Sequence, residues 1–349
     1  MERRQVTELF NNISIQQLLF SSMNFSSRMF TFIDRRVQFI AIALLVTSLF
    51  SLLDRWLWLA DLTTHFVPHY AFTSVVLLIW FAISHNRRWL LILVALLAFY
   101  LIQLWPLWSP EPAMTQGDEL RIFHYNVSLE NQTPGKVIDY LLSVQPSPDI
   151  IILMETTPAW RPALKRLNNT YPVYTTALRD DPFGMAVFTR LAQASIHSAL
   201  LGDVDIPAVI LNASTPDKSA AFTLYAIHPP PPINQAMFKR RNVMYKATAE
   251  AIRLASKNKG QRAALVIGDL NSTPWSSAFA GLLKSASLRD SAQGFGLHNT
   301  WSPAWLPKLL GIPIDHALIS SGISVTDRRL GPDLGSDHLP LNLVLQIRA

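Results

Sequence analysis

Five apolar runs in this chain end on residues that can move protons or hold a cation. "RIFHY" delivers Asn126, "IIILM" Glu155, "LYAI" His228, "LVIG" Asp269 and Asn271, and "GIPI" Asp315; the polar turn "LGSDHLP" adds Asp337 and His338. One acid after a strand is ordinary, because short polar side chains cap and turn the backbone there. Repetition along the chain is not ordinary, and strand ends that meet on one rim of a sheet build a pocket of carboxylates, amides and imidazoles. Oxygen donors of that kind suit a hard cation. Mg²⁺ takes one or two protein carboxylates and leaves room for water and phosphate oxygens, and Mn²⁺ accepts the same donors. Nearby imidazoles supply proton transfer and charge stabilisation. The absence of cysteine excludes disulfides, thiolate metal sites and a Cys nucleophile. The nine His leave zinc as a competitor, but neither HExxH nor a compact His pair at helical spacing is present.

Strands must position these groups. "LRIFHYNV", "DIIILMET", "GMAVFTR", "FTLYAIHP", "AALVIGDL", "IDHALIS" and "LNLVLQI" have the β-branched and aromatic content of strands. "PGKVIDYLLSV" and "NQAMFKRRNVMYKATAEAIRLASK" have helical periodicity. The alternation predicts an α/β or α+β domain, with two sheets covered by helices. Alternate strand residues share a face, so Asp269 and Asn271 emerge on one side and His316 points away from Asp315. "HPPPP", from His228 to Pro232, ends its strand and stiffens the following loop. "KRR", Lys239 to Arg241, lies on the long helix; it is either a solvated face or a source of one Arg, Arg241, that reaches a substrate phosphate. Trp275 and Trp301 flank the polar motifs, where they stack on a base, lie against lipid or fill the core.

"FHYNV", "LMET", "AIHP", "GDLNSTPW", "IPIDHALIS" and "GSDHLPL" follow one another in an order that resembles the endonuclease/exonuclease/phosphatase superfamily, in its membrane-anchored bacterial branch. The resemblance runs from about Leu120 onward. It implies a two-sheet β-sandwich flanked by helices, a four-layer α/β sandwich, and metal-dependent cleavage of phosphate esters. By motif, Glu155 resembles the main Mg²⁺ ligand with Asn126 beside it, and Asp337 a further metal ligand. Asp269 resembles the residue that orients or deprotonates the attacking water, and Asn271 one that holds a phosphate oxygen. His338 resembles the imidazole on the scissile phosphate, oriented by Asp315, and His228 sits where nuclease and sphingomyelinase relatives place a second catalytic His. His124 matches no family motif and reads as structural. Met154 stands where the family often has Gln, and Leu270 where it has an aromatic.

The residues before this domain are of another kind. Half of the chain is hydrophobic and only 15% charged, and the excess is concentrated in three uncharged runs. They predict three transmembrane helices at about 37–53, 66–84 and 89–107, within a membrane region 37–109, after an N-terminal segment 1–36 and before a linker 110–119 and a catalytic domain 120–349. Arg28, Arg35 and Arg36 precede the first run and Arg87 and Arg88 the third, whereas the first link has Arg55 against Asp54 and Asp61. The positive-inside rule therefore makes segment 1–36 cytoplasmic and the C-terminal domain extracytoplasmic, periplasmic in a Gram-negative cell, with the protein multi-pass in the inner membrane. From Glu111 onward, 22 Lys and Arg face 19 Asp and Glu, too even a balance to announce a phosphate-backbone binder. The expected function is a membrane-anchored, Mg²⁺-dependent phosphoesterase acting on a lipid head group, a soluble phosphoester or a nucleic acid. An extracytoplasmic endonuclease and a catalytically inactive membrane scaffold are the alternatives.

Overall fold

A computed structural model describes residues 29–110, 117–259 and 263–348. Most of segment 1–36 and of linker 110–119 lies outside the described residues. The chain forms two compact units, one joining residues up to Leu49 with Pro68–Leu101, the other joining Phe50–Val67 with Ile102–Ala349.

The first unit is helical. Residues 29–51 form α1, and α3 (Val67–Ile83) and α4 (Arg87–Leu104) supply the rest. Trp80 Nε1 donates to Asp34 Oδ1 at 3.0 Å, Phe81 stacks on Trp89 at 5.7 Å, and the Ser48 and Tyr100 hydroxyls bond to each other. Phe39, Phe72, Ile79 and Leu91 stay exposed. The sequence predicts three spans; among the described residues two helical stretches, Trp58–Ile83 and Arg87–Trp108, are long and apolar enough to cross a bilayer. Helix α1 carries Asp34, Arg35 and Arg36 near its described start, so only its later part is uncharged.

The second unit is built on two six-stranded sheets. In the first, β11 (Ile323–Leu330), β12 (Leu341–Ile347), β1 (Asp118–Asn126), β2 (Ile150–Met154), β4 (Met185–Thr189) and β3 (Val173–Ala177) lie side by side in that order. In the second the order is β5 (Ser195–Leu200), β6 (Pro207–Ser214), β7 (Ala221–Ala226), β8 (Ala263–Asp269), β10 (Asp315–Ile319) and β9 (Arg289–Asp290). Only β1–β2 and β7–β8 pair in parallel. Period-two alternation sorts every strand: Leu120, Ile122, Ile150, Ile152, Leu265, Ile267, Ala317 and Ile319 fill the space between the sheets. Their neighbours Phe123, Tyr125, Ile151 and Leu153 meet α5 (Pro134–Ser143), while Val266 and Leu318 meet α7 (Gln235–Lys259) and α8 (Ser277–Ala286). Each fully buried Leu or Ile contributes roughly 1.5–3 kcal/mol relative to exposure. Parallel β1 and β2, and parallel β7 and β8, run out at one end of the sandwich, where antiparallel β10 begins. The expected two-sheet sandwich flanked by helices is the observed fold.

The link between α1 and α3 belongs to this second unit. It contains the short helix α2 (Trp58–Thr63) and buries Asp54, Asp61, Thr64 and His65.

Candidate active site

The inward faces of β1, β8 and β10 stay apolar along the strand and turn polar at one end. On β1 the core-facing series Leu120, Ile122 continues to His124 and Asn126; on β8 Leu265, Ile267 continues to Asp269; on β10 Ile319 and Ala317 lead back to Asp315. The polar groups therefore gather between the sheets, at the end where the parallel strands stop. Two tight turns complete the set. Glu155 at φ 62° and Asn271 at φ 48° occupy the left-handed region, which Asn tolerates and a Glu adopts rarely, at a cost on the order of 1–3 kcal/mol. That conformation turns the Glu155 carboxylate back over the loop, where Leu129 N donates to Oε2 at 2.8 Å.

The side chains form one line. His228 Nε2 lies 4.0 Å from Glu155 Oε1 and 3.5 Å from Asp269 Oδ2. His338 Nε2 lies 3.6 Å from the same Asp269 oxygen, and His338 Nδ1 bonds Asp315 Oδ2 at 2.8 Å. His124 Nε2 bonds the other Asp315 oxygen at 2.8 Å. Asn126 Nδ2 donates to Glu155 Oε1 at 2.8 Å and to Asp269 Oδ2 at 3.0 Å, so a neutral amide spaces two carboxylates that would otherwise repel. Asn271 N donates to Asp269 Oδ1 at 2.8 Å, and its side chain donates to Pro229 O at 2.9 Å. All of these residues are buried except Glu155 and Asn271, which mark the open side.

Burial alone would strip the charge from His338. The facing Asp315 charge and hydrogen bond, with Asp269 and Asp337 nearby, outweigh it and push the imidazole up to about 9. Burial likewise opposes ionisation of Asp315, but the His338 charge and the hydrogen bonds of both imidazoles hold its carboxyl well below the usual range. His228 follows the same pattern: Asp269 and Glu155 overcome burial and raise it. Carboxylates and imidazoles thus alternate along the site, with Asp315 and His338 held as a charged pair. Glu155, His228 and Asp269 offer ligand atoms within 4.8 Å of one another, as do Asp269, Asp315 and His338. The first set, with two carboxylates and a Glu155 side chain 17% exposed, fits a hard divalent cation open to water and substrate.

Three of the expected site residues are held by neighbouring groups. Asp337 belongs to neither ligand set: Trp301 Nε1 donates to its Oδ2 at 2.8 Å, and the residue fastens the loop after β9 to the His338 turn. Asn126 turns its donor nitrogen to the Glu155 and Asp269 carboxylates and its oxygen to Ser128 N at 3.0 Å, which places it between the two. Arg241 is fully buried and spends its guanidinium on Asp61, at 2.7 and 2.8 Å, and on Asn242, so it has nothing to offer a substrate phosphate. His316 does face away from the site, against Ser272 O and Pro313 O. His124, read as structural, is a second partner of Asp315, and its parity with Asn126 on β1 is the signal that points to it. Ser336 accepts from His338 N at 3.0 Å and donates to Asn126 O at 2.9 Å, tying the turn to β1.

Comparison with solved structures finds the same sandwich at low sequence identity. A humanized D. rerio TDP2 carrying 14 mutations is 16% identical over 65% of this chain and 99% of its own, with a TM-score of 0.52. D. rerio TDP2 complexed with single strand DNA product is 17% identical over 65% of this chain and 99% of its own, at 0.52. The human Nocturnin catalytic domain with bound sulfate anion is 18% identical over 67% of this chain and 97% of its own, at 0.51. No curated protein matches the chain. The family model described as Endonuclease/Exonuclease/phosphatase family matches residues 123–338, which begins within β1 and ends on His338. With the sandwich fold and most of its length matched, this chain belongs to the endonuclease/exonuclease/phosphatase family.

Proposed function

We propose that the protein is a membrane-anchored, Mg²⁺-dependent phosphoesterase that cleaves its substrate by in-line attack of water. The observation that carries this reading is the unbroken line Glu155, His228, Asp269, His338, Asp315 at the rim of the sandwich. Glu155, with Asp269 and His228 beside it, would hold the cation, which when bound neutralises the non-bridging phosphate oxygens. Asp269 takes the proton of the attacking water, with one oxygen fixed by Asn271 N and the other facing both imidazoles. Asn271 holds a phosphate oxygen at the open side. His338 keeps its proton on Nε2 through Asp315 and presents it to the phosphate and the departing alkoxide. His228 Nε2 faces both carboxylates and would complete the donor set around the cation.

The membrane part of the proposal rests on chain path. Asp61 and Thr64 are buried within the second unit, so the bilayer portion of the first apolar stretch is Val67–Ile83. The link and the catalytic residues form one compact unit and must then lie on one side of any bilayer that α3 and α4 cross. Arg87 and Arg88 between those helices favour the extracytoplasmic side for the site. A substrate near the membrane, such as a lipid head group, suits that location. The even charge of the domain gives less support to a nuclease, although a TDP2 of the same fold holds a single strand DNA product.

The test uses the full chain in detergent, with Mg²⁺ or EDTA, against phospholipids, a generic aryl phosphodiester and plasmid DNA. Hydrolysis should require Mg²⁺ and should fall by about 10²–10⁴ in Asp269→Asn without loss of fold. Turnover that survives both EDTA and Asp269→Asn would sink the proposal, and the preferred substrate decides between lipid enzyme and nuclease.

A further inference from the structure

The Asp61–Arg241 pair is the most enclosed ion pair among the described residues, and the reaction does not use it. Both side chains are fully buried, and the carboxylate meets the guanidinium with two parallel bonds of 2.7 and 2.8 Å. A charge pair shut away from water gains little over an apolar filling, so stability is a weak reason for it to be there. Its position supplies a better one. Arg241 lies one turn before Tyr245 on α7, with its guanidinium carbon 5.7 Å from the Tyr245 ring. The Tyr245 hydroxyl donates to Leu270 O at 2.7 Å. Leu270 is the residue between Asp269 and Asn271.

Two further contacts run from the same link to the same turn. Thr273 Oγ1 donates to Thr64 O at 3.5 Å. Asp54 accepts from Ser277 N at 2.6 Å and from Ser277 Oγ at 2.7 Å, at the start of α8. The link thus holds Thr273 and Ser277 directly and reaches Leu270 through Arg241 and Tyr245.

We propose that the Phe50–Val67 link is a working part of the active site, with Asp61 as a positioning residue. Through Arg241 and Tyr245, Asp61 fixes the turn that presents Asp269 and Asn271. The proposal rests on the reading that Asp269 acts on the attacking water, but its placement can be tested apart from that reading.

The experiment measures amide hydrogen exchange and turnover of the full chain in detergent for wild type, Asp61→Asn and Tyr245→Phe. Exchange of residues 270–277 should speed up at least about tenfold in both variants while β1 and β2 stay protected. With an aryl phosphodiester and Mg²⁺, kcat should fall about 10- to 100-fold with KM within about twofold, since geometry rather than binding is lost. Tyr245→Phe removes one hydroxyl and keeps the ion pair, so it carries the test if Asp61→Asn fails to fold. Unchanged exchange in 270–277 in Tyr245→Phe, or a wild-type kcat in the variants, overturns the proposal. A wild type that hydrolyses nothing defeats the phosphoesterase reading instead, and the exchange result still decides the link's role.

Discussion

Asp315 holds an imidazole on each oxygen, and this double grip controls how the site responds to pH. His338 has its pKa raised to about 9 in the folded chain, against 6.5 unperturbed. A group raised in this way contributes stability that is complete below the unfolded value and is lost as pH climbs through the folded one. Thermal unfolding of the metal-free protein should therefore drop between about pH 6.5 and about pH 9, and His338→Gln should flatten that slope. An equal slope in the variant would assign the titration elsewhere. Asp315 is depressed by the same contact, so its loss as pH falls belongs to one interaction and not to a second. Most single residues of the site were legible in the sequence because each closes an apolar run. Arg241 was not, since its burial depends on Asp61, 180 residues away in the chain. Asp337 was picked from its place beside His338, and its carboxylate turns to Trp301 and Ser336.

At the level of elements, the strand parity that builds the core also builds the site, and Gly268 is where that economy is tightest. A Cβ there would lie 1.9 Å from Ile227 O and 2.6 Å from Met154 Cε. Met154 also receives Asp269 N on its sulfur at 3.3 Å, so β2, β7 and β8 meet at this point with no spare room. Gly268→Ala should destabilise the protein by about 3 kcal/mol or more, lowering the melting temperature by roughly 6–12 °C for a domain of this size. A melting curve that overlays wild type would contradict the packing. The strongly apolar strands were readable from composition. β5 (exposed and polar, "SIHSAL"), β11 with Asp327, Arg328 and Arg329, and the two-residue β9 lacked that signal and are defined by their partners. Helix α8, "SAFAGLLKSA", is small-residue rich with a central Gly281, and its start is set by the Ser276 cap on Phe279 N at 3.1 Å.

Across the whole molecule, the sandwich was legible from the order of strands and motifs, but the membership of the Phe50–Val67 link was not. Nothing in its composition announces that it folds with residues beyond 102. A fragment beginning at Glu111 therefore leaves Arg241 buried without its carboxylate, at a cost of about 3–5 kcal/mol. Such a fragment should melt well below the same unit in the full chain, and Arg241→Met should recover part of the difference; equal melting temperatures would refute this. The order of the first sheet carries one more consequence. β12 follows every other strand in the chain yet lies inside the sheet, between β11 and β1. Without it, both neighbours expose unpaired edges, and the His338 turn just before it keeps its Ser336 and Asp315 contacts to β1 and β10. A chain whose β12 has not docked is thus open to edge-to-edge association.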